Sequence, residues 1–209
     1  MEALSEKNKQ TFLSIIDDLM LDTTKKASDI TLYTLVDPNR TLSMELFSQN
    51  IEEYLYLGVA KRITNAFSAG LERALLQFME VLVQSRNGQI LKNPAPYSMI
   101  FKLKEGNEYW LDILSLKDYP TLNQRDLDEK RELARLNHSE YRLGLYDSDE
   151  IYDEKHLLNG SDLWALVAGY PHAKYDIFST IHGTANNLSI STLINETHKR
   201  LLNEWRSQD

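Results

Sequence analysis

One predicted β-hairpin, from Tyr97 to Lys117, carries the side chains best suited to chemistry. Because side chains on a strand alternate between its two faces, Ser115 and Lys117 share one face and Asp112 lies on the other. A lysine beside acceptor oxygens at a strand end can orient a water molecule and stabilise charge that develops on a metal-bound phosphate. A lysine at a strand end is also commonly just a solvated terminus, so the spacing alone leaves both interpretations open.

The elements around this hairpin follow from local sequence patterns. Strand-like runs at 99–104 and 109–116 flank Glu105-Gly106-Asn107, which has the composition of a tight turn. Residues 123–137 are polar and helical, and residues 141–146 indicate a third core strand. The chain order is therefore hairpin, helix, strand.

The sequence before the hairpin is largely helical. Apolar residues at three- and four-residue spacing predict an amphipathic helix over 4–21. Residues 43–86 indicate two further helices, separated near Gly58 or at Ser68-Ala69-Gly70. The second of these helices carries Glu72 next to its apolar face.

The fold class predicted from these patterns is α/β, more specifically a small mixed α+β sheet flanked by helices. The remaining predicted elements are short strands at 30–36 and 89–91, a helix capped by Ser161 and Asp162 that stops at Gly169, and a last helix over 191–205.

Composition restricts the functions that remain open. The chain has 209 residues, 42% hydrophobic and 26% charged, as expected of one globular domain. It contains no cysteine, which excludes disulfides, thiol nucleophiles and cysteine-based metal sites. The formal net charge of −8 argues against broad attraction to nucleic acid, although basic residues can still gather in one cleft.

The sequence contains no recognisable targeting signal or metal-binding motif. The N-terminus lacks the pattern of a signal peptide and no apolar run is long enough for a membrane span, so we expect a cytoplasmic protein without membrane contact. The five histidines share no ligand spacing. The acidic run 147–154 lacks the glycine and glutamate spacing of a calcium loop, which favours a solvated loop.

The segment Ser115-Leu116-Lys117-Asp118-Tyr119-Pro120-Thr121-Leu122-Asn123 resembles the strand-to-loop segment of a group of type II restriction endonucleases in the PD-(D/E)xK nuclease superfamily. In that group a lysine ending the strand is followed by small-residue, Pro, Thr and Asn positions. Lys117, Pro120, Thr121 and Asn123 match them, with the loop one residue short.

Other segments resemble landmarks of the same group in the same order. Residues 67–72 are similar to the helix that precedes the catalytic hairpin and often supplies an acid, here Glu72. Residues 143–146 resemble its next core strand, and residues 160–175 resemble its later Gly, Phe-Trp, Gly and Tyr positions. The resemblance covers about 59–180. It implies a single restriction-endonuclease-like domain over 1–209, with the terminal helices packed on the core.

Two positions depart from the superfamily pattern. Where its members begin the hairpin with a metal-binding aspartate, this chain has Ser98, and two residues before the lysine it has Ser115. Hydroxyl groups in place of carboxylates would hold a divalent cation weakly. The remaining acids are Glu72, if its helix packs on the hairpin, and Asp112, if a bulge turns it toward Lys117.

The resemblance implies a Mg²⁺-dependent endonuclease that cleaves double-stranded DNA, acting as a homodimer on two-fold symmetric sites. Lys117 would orient the attacking water or stabilise the charged phosphate, Asp112 and Glu72 would bind Mg²⁺, and Ser115 would substitute for an acid. The alternative is a catalytically inactive protein of the same fold that binds DNA or another protein. Basic and polar residues around the hairpin are the expected DNA contacts: Lys102, Lys104, Asn123 and Arg125.

Overall fold

The computed structural model describes residues 4–35, 50–91, 96–116, 118–151, 154, 156–185 and 189–207. Within these ranges the chain forms seven α-helices and five β-strands. The helices are α1 (Glu6–Ser28), α2 (Leu32–Leu35), α3 (Ile51–Ser85), α4 (Gln124–Leu136), α5 (Gly160–Ala168), α6 (Ala173–Ala185) and α7 (Ile190–Arg206). The strands are β1 (Gln89–Ile90), β2 (Met99–Lys102), β3 (Glu108–Leu114), β4 (Glu140–Leu145) and β5 (Leu157–Leu158).

The five strands form one mixed sheet in the order β1-β2-β3-β4-β5. The pairs β1–β2 and β2–β3 are antiparallel, and the pairs β3–β4 and β4–β5 are parallel. Helix α4 connects the parallel strands β3 and β4, as a crossover of this kind requires. The predicted mixed α/β fold class is therefore confirmed.

The hairpin forms as the sequence predicts. Leu103 N–H donates to Asn107 O at 2.9 Å, and Gly106 has a φ of +96°, a backbone conformation that glycine adopts without steric cost. The β2–β3 register runs without interruption from Met99↔Leu111 to Lys102↔Glu108. Side chains on β3 consequently alternate regularly between the two faces of the sheet.

Helices cover both faces of β4. Leu143 and Leu145 belong to a buried apolar cluster with Leu127 and Ala134 of α4. Gly144, between them, faces the other side, where a Cβ would lie 2.7 Å from both methyl groups of Leu163 in α5. The sheet is thus sandwiched at this point between α4 and α5.

The described residues group into two compact units. The sheet unit comprises residues 4–12 and 75–180, and the helical unit comprises residues 13–74 and 181–207. The helical unit has its own core, to which Leu35 of α2, Leu55 of α3 and Leu201 of α7 contribute.

The strand predicted at 30–36 is wrong where the structure describes it, because residues 32–35 form the single helical turn α2. Thr31 starts this turn: its carbonyl accepts from Thr34 N–H at 3.1 Å and from Leu35 N–H at 3.2 Å. Leu32 and Leu35 are both buried, and their spacing of three residues fits one face of a helix rather than one face of a strand.

The predicted division of 43–86 into two helices is also wrong for its described part, since α3 continues through Gly58 and Gly70. A Cβ at Gly70 would lie 2.3 Å from Leu19 Cδ1, and a Cβ at Gly58 would lie 3.2 Å from Leu35 Cδ2. The two glycines therefore allow close packing of neighbouring side chains instead of ending the helix.

The helix predicted after Ser161 begins slightly earlier. Asn159 is the N-cap of α5, and its side chain accepts from Asp162 N–H at 2.8 Å. The helix ends at Gly169 as predicted, where φ is +86°. None of the described helices combines the length and the apolar character needed to cross a membrane.

Candidate functional site

The α4 side of the sheet contains a cavity of about 400 Å³ that we call the Asp112 pocket. Its polar side chains come from the start of β2, from β3, and from α4 with its N-cap. They are Ser98, Asp112, Asn123, Asp126 and Lys130. The remaining wall is mostly apolar, so Asp112 and Lys130 are partly shielded from water, whereas Asp126 is exposed.

Asp112 is the most highly connected acid of this pocket. Its Oδ1 accepts from Ser98 N–H at 3.0 Å. Its Oδ2 accepts from Lys130 Nζ at 2.7 Å and from Tyr141 Oη at 2.9 Å. The carboxylate is buried, and these three donors compensate for much of its lost hydration.

Strand register explains why Ser98 meets Asp112. The β2–β3 ladder ends at Met99↔Leu111, so the next opposed residues are Ser98 and Asp112. Their side chains extend the ladder: Ser98 N–H donates to the Asp112 carboxylate, and Ile113 N–H donates to Ser98 Oγ at 3.2 Å. The position at which the resemblance expects an aspartate therefore lies beside Asp112.

Aromatic rings surround the ion pair of Asp112 and Lys130. The Lys130 ammonium lies 5.5 Å from the centroid of the Tyr97 ring, and the Tyr97 hydroxyl donates to Lys130 O at 3.0 Å. Burial, followed by the negative charge of Asp112, raises the pKa of both Tyr97 and Tyr141. Both phenols therefore remain protonated at neutral pH, and Tyr141 keeps its proton to donate to Asp112.

Ser115 lies outside this pocket, as strand alternation predicts. It follows β3 and is 4% exposed, and its hydroxyl donates to Asp147 Oδ2 at 2.8 Å. Asp147 Oδ1 also accepts from Leu116 N–H at 2.7 Å. The β3–β4 register runs without interruption from Tyr109 to Leu114, so no bulge turns Asp112 to the face of Ser115.

The described structure does not test where the two other predicted catalytic residues lie relative to Asp112. Lys117 lies outside the described residues. Glu72 is exposed on α3 and belongs to the helical unit, whereas Asp112 belongs to the sheet unit. The shared Mg²⁺ site of Asp112 and Glu72 and the role of Lys117 therefore stay predictions.

The predicted DNA contacts have different surroundings. Lys102 ends β2 and Lys104 lies in the hairpin turn, and both are exposed. Arg125 is also exposed and pairs with Glu129 at 2.9 Å. Asn123 is the N-cap of α4, where its side chain accepts from Arg125 N–H at 3.0 Å, so it has a structural role besides any contact with DNA.

The described lining of the Asp112 pocket contains two carboxylates as possible ligands for Mg²⁺. Its described lining offers the carboxylates of Asp112 and Asp126 and the neutral oxygens of Ser98 and Asn123. Mg²⁺ in proteins is often held by one or two carboxylates, with water and substrate phosphate completing the shell. Across the part of the chain that the structure describes, no three His, Cys, Asp or Glu side chains are grouped to hold a metal ion.

Sequence reasoning missed Lys130 and Tyr141. Lys130 occupies the sheet-facing stripe of α4 between the buried residues Leu127 and Ala134, and a lysine on such a stripe is the one signal that could have indicated it. Tyr141 could be connected with Asp112 only once β4 was known to be the parallel neighbour of β3. Compared with known proteins, the chain matches no family model and no curated protein.

Proposed function

We propose that this chain is a Mg²⁺-dependent type II restriction endonuclease that cleaves double-stranded DNA in the cytoplasm as a homodimer, with its centre in the Asp112 pocket. The observation that carries the proposal is the ion pair of Asp112 and Lys130 beside Ser98, at the start of the hairpin. A carboxylate can bind a divalent cation and an ammonium can stabilise charge on a phosphate, and both contribute to metal-assisted phosphodiester hydrolysis.

The pocket contains Ser98, the position at which the resemblance to the nuclease group expects the first acid. That resemblance expects one acid at the start of the hairpin, a second acid on the next strand and a lysine two residues later. In the sequence the second-acid position matched Ser115 and the lysine matched Lys117, whereas in the structure Asp112 is the acid beside Ser98. If Asp112 is taken as the second acid, the position two residues later is Leu114. The strand therefore has a leucine where a lysine is expected, and the ammonium group beside Asp112 comes instead from Lys130 of α4.

Each residue of the pocket has a defined task in this proposal. Asp112 and Asp126 would hold a Mg²⁺ ion, which would supply Lewis-acid activation of the phosphate. Lys130 stabilises negative charge on the phosphate oxygens, and Ser98 N–H and Tyr141 orient the Asp112 carboxylate. The apolar wall excludes bulk water and so strengthens these interactions.

A second candidate function is a catalytically inactive protein of the same fold that binds DNA or another protein. It is favoured by the contacts of Asp112, which already accepts three hydrogen bonds out of about four that a carboxylate can accept. Ser98 contributes no carboxylate. A cation would then have to displace Lys130 or bind through a single free lone pair.

Incubation of a mixed-sequence plasmid with Mg²⁺ or Mn²⁺ tests the proposal. We expect discrete fragments from the wild type and a loss of cleavage of about 100-fold or more in Asp112→Asn and Lys130→Gln, because each removes a charge from the pocket. Lys9→Gln is the matched control, since Lys9 also belongs to an ion pair of the sheet unit but lies on α1.

Three outcomes would redirect the assignment. Cleavage that depends on Lys117 but tolerates Lys130→Gln would move the centre to the end of the strand. Retained DNA binding with no cleavage in either metal would favour the inactive alternative. Absence of both cleavage and DNA binding would reject the nuclease proposal.

A further inference from the structure

A second polar cavity, of about 370 Å³, lies in the sheet unit away from the Asp112 pocket. Its polar side chains come from the start of α1, the end of α3 and the loop after α5. They are Ser5, Asn8, Ser85, Arg86 and Tyr170. The described lining contains one cationic side chain, Arg86, and no carboxylate.

Arg86 is held in a fixed orientation by the end of α5. Its Nη1 donates to Leu166 O at 2.8 Å and to Val167 O at 3.4 Å. The guanidinium lies against Gly169, where a Cβ would be 2.5 Å from Nε and 3.1 Å from Nη2. Glycine at 169 thus leaves the space that the guanidinium occupies.

Two nitrogens of the Arg86 guanidinium are not used by the α5 carbonyls. Among the described residues, Arg86 Nε and Nη2 donate to no protein atom, whereas Nη1 is committed to the α5 carbonyls. A planar fork of N–H donors matches the spacing of two oxygens on one phosphate. A fixed guanidinium loses little conformational entropy when it binds such a group.

Neighbouring side chains add further donors. Asn8 is 8% exposed, and its Nδ2 donates to Ser85 Oγ at 3.3 Å, which leaves its second amide hydrogen for a ligand. Ser5 Oγ accepts from Asn8 N–H at 3.2 Å. Glu6 follows Ser5 in the sequence but does not line the cavity: its side chain is 80% exposed and pairs with Lys9 at 2.6 Å.

We infer that this cavity binds a phosphate group through Arg86, with Asn8 and Ser5 as supporting donors. The phosphate belongs either to a small phosphate ester, whose organic part would contact the apolar side chains Leu4 and Leu82, or to the backbone of a nucleic acid. This site is separate from the proposed catalytic pocket and does not depend on it.

Calorimetric titration of the full chain with inorganic phosphate tests the inference. We expect saturable binding to one site and at least about tenfold weaker binding in Arg86→Gln, which loses the charged fork. Arg200→Gln is the matched control, because Arg200 donates to the carbonyls of Ala27 and Ile30 in the helical unit as Arg86 does to those of α5. It should lose stability but keep phosphate affinity.

Asn8→Asp keeps the inference falsifiable if Arg86→Gln does not fold. This change introduces a carboxylate into the cavity and leaves the bonds of Arg86 to α5 intact, so phosphate affinity should again fall about tenfold or more. No saturable binding by the wild type up to about 10 mM phosphate would overturn the inference. So would wild-type affinity in Asn8→Asp.

A short DNA duplex, added as a competitor, distinguishes the two phosphate sources. Displacement of phosphate from the wild-type protein by the duplex would assign the site to a nucleic-acid backbone. Phosphate binding that the duplex leaves unchanged would assign it to a small phosphate ester. Both results retain the Arg86 site.

Discussion

Asp112 is held by donors from three separate parts of the chain. Ser98 precedes β2, Lys130 lies in α4 and Tyr141 lies in β4. A buried carboxylate with fixed donors keeps one orientation, because losing a donor leaves an oxygen without compensation for its lost hydration. The cluster therefore contributes to the stability of the sheet unit whether or not the pocket is catalytic.

Tyr141→Phe tests this structural role. The substitution removes the hydroxyl that donates to Asp112 Oδ2 and leaves the ring in place, so we expect a loss of about 1–3 kcal/mol in the free energy of unfolding, measured with urea. Tyr175→Phe, at a residue 76% exposed, should change it by less than about 0.5 kcal/mol. Equal small effects of the two substitutions would contradict the assigned hydrogen bond.

His156 gives the sheet unit a dependence on pH. Its Nε2 contacts Arg131 Nη2 and lies 3.0 Å from Glu154 Oε2. Burial, followed by the charge of Arg131, lowers the pKa of His156 below its ordinary 6.5, against opposing effects of Glu154. Arg142 adds to the lowering.

The sign of this effect is fixed by linkage. Below pH 6.5 the unfolded chain takes up a proton at His156 that the folded chain takes up only at lower pH, so stability should fall as the pH drops from about 6.5. Urea unfolding between about pH 5 and 7.5 should show a shallower decline in His156→Gln than in the wild type, and no change of slope in the exposed control His172→Gln. A steeper decline in His156→Gln would contradict the lowered pKa.

At the scale of elements, the crossover β3-α4-β4 assembles the pocket. Parallel pairing sets Tyr141 opposite Trp110, next to the position of Asp112, and α4 then brings Lys130 back over the same face. The hairpin and the opposite directions of Asp112 and Ser115 were predictable, since they depend only on a two-residue period and a turn. Lys130 and Tyr141 were not, because their contacts depend on which strands become neighbours.

The glycines of α3 also show that local sequence patterns do not determine where a helix ends. Gly58 and Gly70 suggest helix ends in the sequence, yet α3 runs through both because each accommodates a leucine from another helix. Asn159 rather than Ser161 caps α5, a difference of two residues that composition alone does not resolve.

Gly144→Ala tests the packing of α5 on the sheet. A Cβ there would lie 2.7 Å from both methyl groups of Leu163, so we expect a loss of about 1–3 kcal/mol in the free energy of unfolding. Leu163→Ala alone should cost about 2–5 kcal/mol by opening a cavity. The double variant should cost less than the sum, because alanine at 163 makes room for the new methyl group, and strict additivity would contradict this contact.

At the scale of the whole molecule, charge limits how the chain could engage DNA. The net charge is −8, and the described charged side chains of the Asp112 pocket are Asp112, Asp126 and Lys130, which leaves one excess negative charge there. A bound divalent cation would reverse that sign and make the pocket attractive to phosphate. The metal is therefore the point on which the nuclease proposal depends.

Calorimetric titration of the full chain with Mn²⁺ tests that point most directly. The proposal predicts weak but saturable binding by the wild type, loss of binding in Asp112→Asn, and at least about tenfold tighter binding in Ser98→Asp, which adds a carboxylate opposite Asp112. Folding of each variant is checked by circular dichroism. Binding that survives Asp112→Asn unchanged, or that Ser98→Asp fails to strengthen, would contradict a metal-dependent centre in the Asp112 pocket.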